Sequence, residues 1–239
     1  MKTAWVWVAL AFLLLGGCAT KPPGKVQPLP VATSEGSEKD ARLWHYFRFR
    51  FARTEDDEVD SSLDLLVANE IFSPILQQYG DELPLWRFHR RWPDDPTGHQ
   101  FSFIVLTDRP NVESINASIL AAPLFQQLRE EGRLREYRVD VSKAERPGAL
   151  AATSDRSWPE VLQREWPFFI MGVSRLWLGL VQAEAADNSA KDPYARYREA
   201  ADAVDELWFE EANHALFHHL SAVFGYQPVR VIRRDIMTF

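Results

Sequence analysis

The chain has 239 residues, a formal net charge of -7 and a single cysteine. An acidic balance with no basic tail argues against nucleic acid as a partner, and one thiol excludes a disulfide framework within the chain. The length suits one hydrophobic core, or one core with an appendage.

Residues 1–17 begin with one basic side chain, Lys2, run through an apolar segment from Ala4 to Leu15, and close on Gly16 and Gly17 before Cys18. A charged start, a short apolar core and small residues at the cut make a secretory signal. The apolar run is too short for a permanent membrane span. Leu15-Gly16-Gly17-Cys18 resembles the lipobox of bacterial lipoproteins. The resemblance implies cleavage before Cys18, a diacylglyceryl group on its thiol and acylation of the new N-terminus. Two or more chains make a stable membrane anchor. Ala19, in place of aspartate, resembles the outer-membrane sorting signal of enterobacterial lipoproteins, which implies the periplasmic face of that membrane. Loss of the signal removes one lysine and no acid, so the net charge becomes -8.

Residues 18–41 then read as the lipidated cysteine and a tether. The stretch KPPGKVQPLPVATSEGSEKD carries four prolines and two glycines without apolar periodicity, as an extended spacer does.

Residues 42–141 contain a duplication. Ile71-Phe72-Ser73-Pro74-Ile75-Leu76-Gln77-Gln78 and Leu120-Ala121-Ala122-Pro123-Leu124-Phe125-Gln126-Gln127 share one pattern: apolar, any, small, proline, two apolar residues and two glutamines. Alternating, strand-type runs precede the copies, LWHYFRFRFA and FSFIVLTD, and follow them, LPLWRFHRRW and RLREYRVDV. Residues 93–99, PDDPTGH, suit a hairpin between the two middle strands. The pattern predicts an α+β fold with a ferredoxin-like βαββαβ unit, its two prolines acting as helix kinks or restarts.

Residues 142–239 change to helical patterning and are expected to pack on the first unit. Ser157-Trp158-Pro159-Glu160 reads as a capping box, followed by an apolar helix over residues 166–181 that is polar only at Ser174 and Arg175. Such a helix is expected to be buried in the core. A second helical stretch starts at Asp192-Pro193 and stops at Gly225, and the tail PVRVIRRDIMTF reads as a final strand.

Alternation sends Leu43, His45, Phe47, Phe49 and Phe51 to one face of the first strand and Trp44, Tyr46, Arg48 and Arg50 to the other. With the phenylalanines against the helices, Trp44, Tyr46, Arg48, Arg50, Arg87 and Arg91 form the candidate ligand-binding set. Guanidinium forks match carboxylate or phosphate and aromatic faces stack on rings, so an anionic or sugar-like ligand suits them. The competing expectation is that Asp202, Asp205, Glu206 and Glu211 cover this face in internal ion pairs. Glu206, Glu210, His214 and His218 recur every four residues. Without HExxH or paired ExxH spacing they read as a solvated face, so no metal and no cofactor are expected.

A further resemblance runs from Trp86 to about Leu180. The succession WRFHRRWPDDPTGHQFSF, LREEGRLREYRVD and ERPG before an apolar helix looks like the thiopeptide-type, lantibiotic-dehydratase C-terminal domain. Arg91 and Pro147 stand where that family has tyrosines, and its double glycine is reduced to Gly148, so the resemblance implies a shared fold and no catalytic residues. The sequence as a whole indicates a non-catalytic, lipid-anchored envelope protein with a membrane anchor at Cys18 and an envelope partner. The alternative is an envelope enzyme acting on lipid or cell-wall material through His45, His89 or His99.

Overall fold

A computed structural model describes residues 42–54, 56–91, 98–141, 154–155 and 157–226. The signal, Cys18, the tether, most of the hairpin connection and the residues of the final strand lie outside the described residues.

The chain is α+β. Its elements run β1 (Leu43–Phe51), α1 (Ser62–Val67), a π-helical turn at Ala68–Phe72, α2 (Ser73–Tyr79), β2 (Leu85–Arg90), β3 (Phe101–Thr107), α3 (Arg109–Ala121), α4 (Pro123–Glu130) and β4 (Leu134–Val141). The strands form one antiparallel sheet in the order β2-β3-β1-β4. Both β1 and β2 are antiparallel to β3 and therefore parallel to each other; β3 and β4 are related in the same way across β1.

Alternation decides which face is covered. Phe47 and Phe49 of β1, Phe101 and Phe103 of β3 and Phe88 of β2 are buried with Leu66, Ile71 and Phe72 of the first helical run and Ile115, Phe125 and Leu128 of the second. Phe49 sits at the centre, its ring meeting those of Phe72, Phe125 and Tyr137 edge-on at 5.5, 6.1 and 5.0 Å. The phenylalanine face is thus the helix face.

The two prolines act differently. Ala122, before Pro123, is extended at ψ 128°, so the second run breaks into two helices. This is the conformation that a following proline favours. Ser73, before Pro74, stays helical, and the π-helical turn immediately ahead leaves the first run continuous.

The C-terminal part comprises α5 (Glu160–Asp187), α6 (Pro193–Leu207), a π-helical turn at Trp208–Ala212 and α7 (Asn213–Val223). The Asp192 carboxylate accepts from the Ala195 amide at 3.0 Å to cap α6, and Gly225 adopts φ +70° just beyond α7. The expected capping box does not form. Asp155 draws both the amide and the hydroxyl of Ser157, leaving Pro159 at the N-cap of α5 without a side-chain bond.

All six residues of α1 are buried, since the sheet lies on one side and α6 packs on the other. The Tyr197 hydroxyl donates to Glu70 at 2.5 Å and accepts from Asn69, fastening α6 to the π-helical turn below it. Burial, then the Glu70 hydrogen bond and charge, push the Tyr197 phenol up.

The expectation of a wholly buried apolar helix is corrected. Only Pro167, Ser174, Leu178, Val181 and Ala185 of α5 are buried, whereas Val161, Leu162, Phe168, Phe169 and Leu176 are exposed. The reason is position: α5 flanks the edge strand β2 and meets the core along one stripe. Among the described residues no helix is long and apolar enough to cross a membrane.

Candidate functional site

The register brings the six candidate residues to one face. Trp44 lies opposite Leu106 and Leu85, Tyr46 opposite Ile104 and Arg87, and Arg48 opposite Ser102 and His89. Arg91 extends the same alternation, its amide bonding the Gln100 carbonyl at 2.9 Å. The face does not act as one platform. Trp44 is only 2% exposed, packed with Leu85, Ile104, Leu106 and the α5 side chain Met171. It is a wall of a small second core rather than a stacking surface.

Arg48 meets Asp140 at 2.9 Å and Arg50 meets Glu136 at 3.2 Å. Arg138 reaches both carboxylates, at 3.1 and 3.9 Å. Burial pushes the Arg48 guanidinium down, Asp140 opposes, and Arg138 and Arg91 add to the fall. The pairing carboxylates therefore belong to the adjacent strand β4. For Arg48 and Arg50 the expected cover by the acidic helix is corrected, because α6 lies over α1 on the helix face of the sheet; Asp205 of α6 does line a cavity with Arg87. Arg50 also lines a small cleft of about 50 Å³ with Arg53, His99 and Arg135. Gly98 belongs there because its φ of +77° is one that L side chains rarely adopt; a Cβ would also lie 3.3 Å from the Arg50 guanidinium.

The three histidines proposed for acid–base work do not converge. His45 shares the phenylalanine side of β1, opposite Val105, while His89 shares the opposite side of β2 with Arg87. His99 is held structurally. Its Nδ1–H donates to the Arg91 carbonyl at 2.6 Å, and Nε2 lies 3.0 Å from both oxygens of Asp64. The fully buried Asp64 also accepts from Arg90 Nε at 2.7 Å. Both imidazole nitrogens face acceptors, which the protonated ring satisfies. Burial alone lowers the His99 pKa, but the Asp64 hydrogen bond and charge and the Arg91 carbonyl outweigh it, and the net shift is upward despite Arg90.

A larger concavity than the Arg50 cleft lies elsewhere, beside the β2 edge. A cavity of about 540 Å³ opens between β2, α5 and the α6–α7 run, within the roughly 300–1,000 Å³ of small-ligand sites. On α5 its wall is Trp166, Ile170, Val173, Trp177 and Leu180. Their spacings of four, three, four and three put them on one helical stripe. It runs beside the stripe of Ser174, Leu178, Val181 and Ala185 that is buried. The opposite wall is Val204, Trp208 and Leu216, with the polar groups Arg87, His89, Arg90, Ser174 and Asp205. The π-helical turn begins at Trp208 itself. Ser174 closes the edge strand: its hydroxyl accepts from the Phe88 amide at 3.1 Å and donates to the Ile170 carbonyl at 2.8 Å. Burial pushes the Arg87 guanidinium below its ordinary range, with Tyr46 opposing, though a guanidinium remains charged.

Sequence reasoning identified Arg87 but not the apolar walls, whose signal was the second stripe on α5. It also missed Asp64, a single carboxylate in an apolar helix. His214 and His218 lie with ring centroids 6.0 Å apart, tilted at 41°, on an α7 with no buried residue. The π-helical turn between them and Glu206 inserts an extra residue, so the row is not one continuous face. Among the described residues no group of three or more His, Cys, Asp or Glu side chains is arranged to hold a metal ion.

Compared with protein-family models the chain matches none, and no curated protein matches it.

Proposed function

We propose that this chain is a lipid-anchored cell-envelope protein that binds another envelope component and serves in assembly or maintenance rather than catalysis. The observation that carries the binding role is the 540 Å³ cavity beside β2, apolar on its helical walls and cationic along its strand. Apolar walls with a few convergent polar groups characterise ligand sites. The address rests on Leu15-Gly16-Gly17-Cys18 and Ala19, which favour the periplasmic face of the outer membrane. The strand order β2-β3-β1-β4, with a helical run joining each parallel pair, supports a ferredoxin-like arrangement.

The envelope-enzyme alternative has less support, since His45 and His89 project to opposite sheet faces and both nitrogens of His99 are engaged. Replacing Cys18 by serine tests the address. The variant loses metabolic palmitate labelling and accumulates uncleaved or leaves the membrane fraction, whereas persistent labelling contradicts a lipid anchor at Cys18.

A further inference from the structure

We propose that the outer face of α7 is a self-association surface, on which α7 of a second copy of this chain packs antiparallel about a two-fold axis at Phe217. The contacts lie on a different arc of α7 from Leu216, which lines the cavity, so the inference does not depend on what the cavity holds.

The π-helical turn creates the surface. A turn closed by i→i+5 bonds takes up nearly one residue more than an α turn. Between Phe209 and Phe217 the chain passes through one such turn, at Trp208–Ala212, and then through α-helix. The eight residues from Phe209 to Phe217 therefore come to about two full turns. The seven from Phe217 to Phe224, whose amide still bonds the Leu220 carbonyl, also come to about two turns. The three phenylalanines thus form one line, about 22 Å long at 1.5 Å per residue, and they are 76%, 64% and 72% exposed. Asn213 stands in the first interval with its side-chain amide donating to the Phe209 carbonyl at 3.2 Å, and Leu220 stands in the second. No residue of α7 is buried, so a single chain leaves the whole line in water.

The line matches itself. Under a two-fold axis at Phe217 that ring meets its own copy, while Phe209 and Phe224, eight and seven residues to either side, meet each other. Such an isologous contact closes at two copies. At roughly 200 Å² per aromatic side chain, the three rings expose about 400 Å² on each copy. The adjoining Trp208, Val223 and Tyr226, also exposed, bring the apolar area toward the roughly 800 Å² that each partner gives to a standard interface. Charge favours a second copy over a lipid surface. From Glu199 to Tyr226 the chain has no lysine or arginine, and the π-helical turn itself carries Glu210 and Glu211, whereas helices that lie on anionic lipid depend on basic side chains. Phe209, Asn213, Phe217, Leu220 and Phe224 are all uncharged, so two copies meet along the line without opposing like charges.

The test uses two differently tagged full-length copies expressed in one cell, one of them carrying a benzophenone-bearing phenylalanine at position 209, 217 or 224. Products retained through both tags after illumination are mapped by mass spectrometry. Position 217 is expected to join the second copy near its own residue 217, position 209 near residue 224, and position 224 near residue 209. Phe217→Glu in both copies sets two carboxylates on the axis and lowers the doubly tagged product from position 209 at least tenfold. Its thermal unfolding stays where that of the unaltered chain lies, because Phe217 is exposed. If that variant fails to fold, the crosslink map obtained without it keeps the test decisive.

Absence of a doubly tagged product at all three positions overturns the proposal. So do adducts with lipid, with an unrelated protein, or with residues 227–239 of the same copy in place of the second copy's helix. Joining of 209 to 209 and of 224 to 224 means parallel helices and overturns the two-fold arrangement. A doubly tagged product that a folded Phe217→Glu variant leaves undiminished removes Phe217 from the axis and overturns it as well.

Discussion

Asp64 and His99 provide a buried polar pair whose removal has a calculable, pH-dependent consequence. The Asp64 side chain is 0% exposed and that of His99 8%, with Arg90 reaching the same carboxylate from a site 34% exposed. Asp64→Ala strands His99 beside Arg90 without a counter-charge. Breaking one partner of a buried pair costs about 3–5 kcal/mol, and the more exposed Arg90 contributes little to that cost. At about 2–4 °C per kcal/mol for a domain of this size, the melting temperature falls by roughly 6–20 °C. His99→Gln is milder, about 1–3 kcal/mol, because an amide retains one donor for the buried carboxylate. The folded-state pKa of His99 is raised, so its contribution is fully present below the unfolded value of about 6.5 and is lost as pH rises through the folded value. The destabilisation caused by His99→Gln should therefore be largest near pH 5.5 and shrink toward pH 9 when thermal unfolding of both chains is followed by circular dichroism. A difference that grew with pH, or that did not vary with it, would refute the assignment of a protonated His99 bridging Asp64 and the Arg91 carbonyl.

Arg48→Gln with Arg50→Gln should lower stability by no more than about 1 kcal/mol per pair, because both ion pairs are partly exposed; a collapse of the unfolding midpoint in urea would mean a buried network instead. Phe49→Ala removes a fully buried ring packed edge-on against three others and should cost about 3–5 kcal/mol in the same titration. Ser174→Ala leaves the Phe88 amide without its hydroxyl acceptor and should cost about 1–3 kcal/mol, with faster hydrogen exchange at that amide; unchanged exchange would show that α5 does not cap the edge.

The strands were legible as short runs rich in aromatic and branched residues, alternating from Phe47 to Phe51 in β1 and continuously apolar from Phe103 to Leu106 in β3. LWHYFRFRF placed five residues toward the helices and four away, and the register carries Arg87 to the same face as Tyr46. What alternation could not supply was which neighbour covers that face. Trp44 and Arg48 share it, yet Trp44 is buried by Met171, while Arg48 pairs with the next strand. The cavity was hidden for a related reason. The apolar periodicity of α5 contains two adjacent stripes, and only tertiary placement assigns one to the core and the other to an open wall. Asp64 was invisible because a carboxylate within an apolar helix reads as local polarity until Arg90 and His99 are brought beside it by the β2–β3 pairing.

The central claim, that the cavity between β2, α5 and the α6–α7 run binds an envelope component, is tested most directly by a photoreactive amino acid placed in the full-length chain in living cells. One substitution goes at Ile170, within the cavity wall, and the control at Glu113, on the exposed side of α3. The account predicts that illumination captures an envelope component, lipid or protein, at position 170 and not at 113. Capture of nothing at position 170, or of the same species at both positions, would contradict it.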